Sequence, residues 1–261
     1  SIPYELVLFK EKLDFQVLRP KEVRKGQILF PYEGSLREDL KITLGPKQEK
    51  FPYVITKVPE ADSLNFWYPN SIKDSIEFLV QYGQRIDTFN TLLRTKKYDS
   101  LKINAITKGY LNLKKDFEIS INQPVKVLDS TKISLMRPDS TWIQPGIKYV
   151  SDGMLMRIDV SPQESSRYLL NIYPGAISTF DEVNKDTLSF RINTKQIADY
   201  GDITFNFESK EKENLIVEIP DENEKLVETQ FANSEDIVKF DLLEPKKYII
   251  RATLDKNNNQ R

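Results

Sequence analysis

The stretch that decides the fold is Phe240–Arg261, FDLLEPKKYIIRATLDKNNNQR. It reads as a turn, a strand and an Asp/Asn-rich turn. Alternation sets Tyr248, Ile250, Ala252 and Leu254 on one face and Ile249, Arg251, Thr253 and Asp255 on the other, the two-residue period of a half-buried strand. Most of the chain upstream repeats this plan, with a Pro, Gly or Asx corner followed by a short alternating run.

Residues 1–98 hold strand candidates at Glu5–Glu11, Phe15–Arg19, Gln27–Tyr32, Leu40–Leu44, Tyr53–Lys57, Ser63–Tyr68, Ser75–Tyr82 and Arg85–Leu93. Residues 99–196 hold a second set at Leu101–Thr107, Phe117–Ile121, Lys132–Met136, Met154–Val160, Tyr168–Tyr173 and Leu188–Asn193. Residues 197–261 hold a shorter third set, carried by Ile203/Phe205/Phe207, Leu215/Val217/Ile219, Lys225–Phe231 and the terminal strand. No long stretch has helical period. Short strands between turn signals predict an all-β chain of tandem antiparallel β-sandwich domains, with the third too small to be complete.

Composition narrows the chemistry. The 261 residues carry 38 basic and 39 acidic side chains, interspersed, for a net charge of −1; this is no footprint for nucleic acid. No apolar run approaches the length that spans a bilayer, and no signal-peptide pattern opens the chain. It therefore reads as a mature or trimmed ectodomain whose anchor lies outside it. There is no Cys and no His, which removes thiol nucleophiles, Ser-His-Asp triads and zinc sites built on those ligands. The expectation is a protein without enzymatic activity, with no catalytic, cofactor-binding or metal-binding residue assigned.

Several residues invite a functional reading. Asp-Ser/Thr precedes a strand-like run at Asp62, Asp74, Asp87, Asp99, Asp129, Asp139 and Asp186. Spread so evenly these carboxylates set turns, accepting backbone N–H groups two residues on. Asp255–Gln260 begins like a calcium loop, with oxygen ligands at alternate positions, but Gln260 stands where the sharp turn needs Gly; a strand-ending turn is the better reading. Asp181–Asp186 is an acidic loop that could hold a hard cation, though such loops are more often solvated turns. Phe66-Trp67-Tyr68 and Trp142 could furnish an aromatic platform for sugar; since Phe66 and Trp67 face opposite ways, one of them belongs to the core.

Gln123-Pro124-Val125 with Asp129–Ile133, Tyr173–Ile177 and Asn184–Phe190 resemble the bacterial Ig-like repeat of a family of Bacteroidota outer-membrane lipoproteins. Tyr200–Ile203, Phe240–Tyr248 and Asp255–Asn259 are similar to that family's C-terminal carboxypeptidase-regulatory-like, or prealbumin-like, module, and Leu8–Glu11 to the junction after an earlier module. Lys246 and Gln260 stand where the family has Gly. The resemblance implies Ig-like and prealbumin-like sandwiches on a protein lipid-anchored to the outer membrane, on its periplasmic or cell-surface face. The function expected is an accessory or scaffold subunit of an export, biogenesis or uptake assembly. Its partners would be outer-membrane barrel proteins or other surface lipoproteins, not nucleic acid. The alternative is a surface glycan-binding module using exposed aromatic residues. A carboxylate-based hydrolase is a further alternative to which no residue pair points.

Overall fold

A computed structural model describes residues 14–150, 153–207, 214–233 and 237–255; the strand expected at Glu5–Glu11 lies outside them. The described residues form strands and two single-turn 3-10 segments, Ser130–Lys132 and Ile197–Asp199, with no α-helix. They enclose three hydrophobic cores, drawn from residues 15–93, 101–192 and 203–248.

The first core lies among β1 (Gln16–Val17), β2 (Lys21–Arg24), β3 (Gln27–Glu33), β4 (Lys41–Leu44), β5 (Val54–Lys57), β6 (Ser63–Trp67), β7 (Ser75–Tyr82) and β8 (Arg85–Leu92). One sheet runs β1-β3-β6-β5, with β2 also on β3, and the other runs β4-β7-β8. With β1 and β2 as strand A, this is the ABED-over-CFG arrangement of an immunoglobulin-type sandwich. Strict alternation along β7 buries Ile76, Phe78, Val80 and Tyr82. Phe78 meets Phe30 and Phe66 edge-on, each at 4.9 Å between ring centres, pairs that contribute about 0.5–1.5 kcal/mol beyond area burial.

The second sandwich contains β9 (Ile103–Ala105), β10 (Tyr110–Leu111), β11 (Phe117–Ile121), β12 (Val127–Leu128), β13 (Ile133–Met136), β14 (Trp142–Ile143), β15 (Ile147–Val150), β16 (Leu155–Ile158), β17 (Arg167–Ile172), β18 (Ile177–Ser178) and β19 (Leu188–Thr194). Its sheets are β15-β16-β11-β9 and β10-β19-β17-β13-β14, with β12 and β18 pairing at one end. The opening strand thus changes layers: β9 lies antiparallel to β11, while β10 lies parallel to β19. Gly109, at φ +79 between them, takes a left-handed conformation that a side chain would strain.

Tyr168, near the start of β17, is buried. Its hydroxyl accepts the Gln163 N–H at 2.8 Å and donates to Ser161 O at 3.5 Å, which is the tyrosine corner of this fold. Two residues on, where antibody domains place a disulfide cysteine, stands the fully buried Leu170.

The third set is β20 (Gly201–Asn206), β21 (Asn214–Pro220), β22 (Leu226–Asn233), β23 (Ile237–Leu243) and β24 (Arg251–Leu254). Layer β20-β23 faces layer β22-β21-β24 around Leu215, Val217, Ile219, Val238, Phe240 and Leu243. Two readings of this region need correction. Phe240–Leu243 belongs to a strand, not a turn, with Leu242 at φ +53 and a register shift against β20. The terminal strand is not half-buried: all four residues of β24 are exposed, Leu254 by 45% and the preceding Ile250 by 51%. Ala252 and Leu254 stand opposite Val217 and Leu215 on the core face, but only two strands form the covering layer.

Replacing Tyr168 by Phe removes the acceptor for the Gln163 N–H and should destabilise the second sandwich by about 1–2 kcal/mol. Denaturant unfolding read at Tyr and Trp wavelengths checks this; an unchanged midpoint would show that the corner carries no stability.

Candidate functional site

Of the Asp-Ser/Thr positions, Asp129 and Asp139 set turns through their side chains, whereas the Asp87 carboxylate accepts the Tyr82 hydroxyl and pairs with Arg85. Asp129 accepts the Thr131 N–H and hydroxyl at 3.2 and 2.5 Å, and Asp139 those of Thr141 at 3.0 and 2.6 Å. These bonds hold both carboxyls below their ordinary range. Asp74 instead turns the chain through its own backbone, at φ +69. Among the described residues no group of three or more acidic side chains converges as a cation site. Of the Asp255–Gln260 run only Asp255 is described; it is buried, and its N–H donates to Asn214 O at 2.7 Å.

Phe66, Trp67 and Tyr68 are all buried, Trp67 to 4% exposure, so they offer no platform. Phe66 faces the core. Trp67, on the opposite side of β6, is covered instead by polar neighbours: its Nε1–H donates to Thr56 Oγ1 at 2.9 Å, and the Arg24 guanidinium lies 5.1 Å above its ring. Trp142 is 49% exposed.

What covers Trp67 is the point where the first two sandwiches meet, and several sequence candidates converge there. Arg24 pairs with the Asp99 carboxylate and donates to Asn122 O at 3.0 Å. Lys102 Nζ lies 2.8 Å from Asp99, and Gln123 Nε2 donates to Asp99 O at 2.8 Å. The hydrogen bond from Lys102, reinforced by the charge of Arg24, holds the Asp99 carboxyl below its ordinary value.

The acidic loop at Asp181–Asp186 closes the same joint from the far side. Both Asp181 carboxylate oxygens accept the Asn70 N–H, at 2.9 and 3.0 Å, and Glu182 accepts the Leu101 N–H. Burial raises the Asp181 carboxyl above its ordinary value, against the pull of the Asn70 N–H and Lys25. Asn184 knits the loop from within: its amide donates to Tyr173 O at 2.8 Å and its oxygen accepts the Ile177 N–H at 2.8 Å. Gly26, at φ +83, passes so close that a Cβ would stand 2.8 Å from Asn70 Oδ1.

A second joint links the middle and last cores. Lys114 Nζ binds Glu228 at 3.2 Å and the Asp241 carboxylate, and Asn112 Nδ2 donates to Leu242 O at 3.0 Å. Burial opposes the Lys114 charge, but the two carboxylates outweigh it and hold its pKa above the ordinary value. The adjoining cleft, about 610 Å³, is lined by Glu118, Asp221 and Glu228 among others. These three are paired with Arg157, Lys246 and Lys114 respectively, and Asp116 and Glu244 line it as well.

No protein-family model matches the chain, and no curated protein matches it. Among solved structures, the I9-I11 tandem from titin is 15% identical over 92% of this chain and 95% of that one, with a TM-score of 0.23. Native alpha-2-macroglobulin from Escherichia coli, spanning domains MG0-NIE-MG1, is 10% identical over 94% and 95%, with a TM-score of 0.29. At these scores neither carries an argument. The fold rests on strand order and the tyrosine corner.

The joints were not visible in the sequence, because Arg24 and Asp99 lie 75 positions apart and Asn70 and Asp181 lie 111 apart. The one signal was Asp99 itself, at the boundary between two sets of strands.

The partly buried Arg24–Asp99 pair and the Asp181 bonds to the Asn70 N–H hold the first joint from two sides, so loosening it takes two substitutions. With Arg24→Ala and Asp181→Ala combined, spin labels at Thr88→Cys and Ser189→Cys should show a broadened distance distribution. The absence of native Cys makes this labelling clean; an unchanged narrow distribution would rule out these contacts as the restraint. Acid should act through Asp99. Its folded pKa is depressed, so its contribution is present above the unfolded value of about 3.9 and lost as pH falls through the folded one. The Asp99→Asn variant should therefore lose less stability than the parent between neutral and strongly acidic pH, measured by urea unfolding. Asp181, shifted the other way, gives the opposite sign.

Proposed function

We propose that this chain is a non-catalytic scaffold of the bacterial outer membrane or cell surface, an accessory subunit that holds other envelope proteins in an export, biogenesis or uptake assembly. The observation that carries this reading is the pair of polar joints. Charge-assisted hydrogen bonds, stronger than neutral ones, connect Arg24 to Asp99, Asp181 to Asn70, and Lys114 to Glu228 and Asp241. Sandwiches jointed in this way present their faces and strand edges at set spacings, and such edges and faces are what protein partners grip. The resemblance of residues 123–190 and 200–259 to lipoprotein modules supports the envelope location, with anchoring by lipid. The partners proposed are outer-membrane barrel proteins or other surface lipoproteins.

Affinity purification from detergent-solubilised outer membranes should recover a stoichiometric partner chain; recovery of this protein alone would defeat the proposal. A surface glycan is the second reading, favoured by the exposure of Trp142. Because Trp67 is buried, fluorescence quenching by oligosaccharide reports on Trp142, and saturable quenching would move the assignment to glycan binding.

A further inference from the structure

The two outer faces of the middle sandwich differ in kind. On the β15-β16-β11-β9 sheet the outward side chains are Asn104, Glu118, Ser120, Lys148, Val150, Leu155 and Arg157. This face mixes both signs of charge, and Arg157 Nε binds Glu118 at 2.8 Å. It is an ordinary solvated surface.

The β10-β19-β17-β13-β14 sheet faces outward differently. Register places Tyr110, Asn193 and Arg167 in one cross-strand row and Arg191, Leu169, Met136 and Trp142 in the next. Ser189, Asn171 and Ser134 form the third row. Most of the first two rows line one shallow depression of about 670 Å³. Tyr110, 53% exposed, lines it with Lys195 Nζ 5.7 Å above its ring, and Trp142, 49% exposed, continues the second row beyond Met136. Glu164, next in sequence to the lining residue Ser165, accepts the Ile197 N–H at 3.0 Å.

In a chain with 39 acidic residues, these three rows contain two arginines and no carboxylate. With aromatic residues, Met and Arg and without Asp or Glu, the three rows carry the composition of an interface core, and Lys195 over Tyr110 adds to their positive charge. A solvated sheet face looks different. Its positive charge, unpaired among the described residues, selects the occupant, because complementary potential favours one partner and repels others. We infer that this face docks a carboxylate-bearing surface of a partner protein, with Arg167 and Arg191 paired to its acids and Trp142, Met136 and Leu169 packed against its apolar atoms. The inference rests on the scaffold reading and names the surface and the partner's chemistry.

The test uses p-benzoylphenylalanine at Asn171, in the middle strand of the face, and at Ser120 on the opposite face as control, irradiated in cells that carry the full assembly. The expected result is a cross-link from Asn171 to an acidic segment of another protein and none from Ser120. Its yield should fall about fivefold or more with Arg191→Glu, and in washed membranes as salt rises, while Lys148→Glu on the opposite face leaves it unchanged. Arg191 and Lys148 are both exposed, so neither change disturbs a core. A cross-link from Ser120 alone overturns the surface and leaves the scaffold reading standing. A basic or uncharged cross-linked segment, or a second copy of this chain, overturns the partner assignment. No cross-link from either position, together with no co-purifying chain, overturns both readings.

Discussion

Two packed sheets of short strands can bury only every second side chain, and the rest of this molecule follows from that constraint. Each core is built from alternate residues, as in β7, where Ile76, Phe78, Val80 and Tyr82 go in and Ser75, Glu77, Leu79 and Gln81 are left out. The left-out half is then free to be polar, to pair with a neighbour or to meet a partner. On one outer face of the middle sandwich Arg157 pairs with Glu118, and the other carries Trp142, Met136, Arg167 and Arg191. The last one shows what happens when the constraint is only partly met, since β24 offers Ala252 and Leu254 to a layer too narrow to cover them.

The joints use a different chemistry. Apolar contact would fuse neighbouring cores, whereas the Arg24, Asp181 and Lys114 contacts consist of directional bonds with defined donors and acceptors. Asn122 O and Leu242 O accept, and the Asn70 N–H donates, across the joints, so the backbone geometry of one sandwich is read directly by the side chains of the next. Trp67 contributes by being hidden: its ring gives the Arg24 guanidinium a flat seat, a favourable arrangement for a weakly hydrated cation.

Most of the architecture was legible because alternation is a strong signal where a strand is long enough to show it. Ser75–Tyr82 and Phe117–Ile121 are strands at the bounds their patterns mark. Lys21–Arg24, Tyr110–Leu111, Val127–Leu128, Trp142–Ile143, Ile147–Val150 and Ile177–Ser178 were not, since strands of two to four residues show too little pattern. Ile237–Leu243 was hidden by the left-handed residue that breaks its period. The candidate site was less legible. Asp181, Trp67 and Asp99 each looked like a separate feature, and only long-range pairing brings them to one place. The exposed face is legible only after register is known, because its rows gather residues from five strands.

One detail of topology bears on how such a chain carries tension. β10 and β19 run parallel, with Tyr110 beside Asn193 and Leu111 beside Thr194, and both point toward the joint made by Asn112 and Lys114. Pulling the middle sandwich by its two ends therefore slides these strands past each other lengthwise. Their bonds are loaded together and do not peel apart one by one.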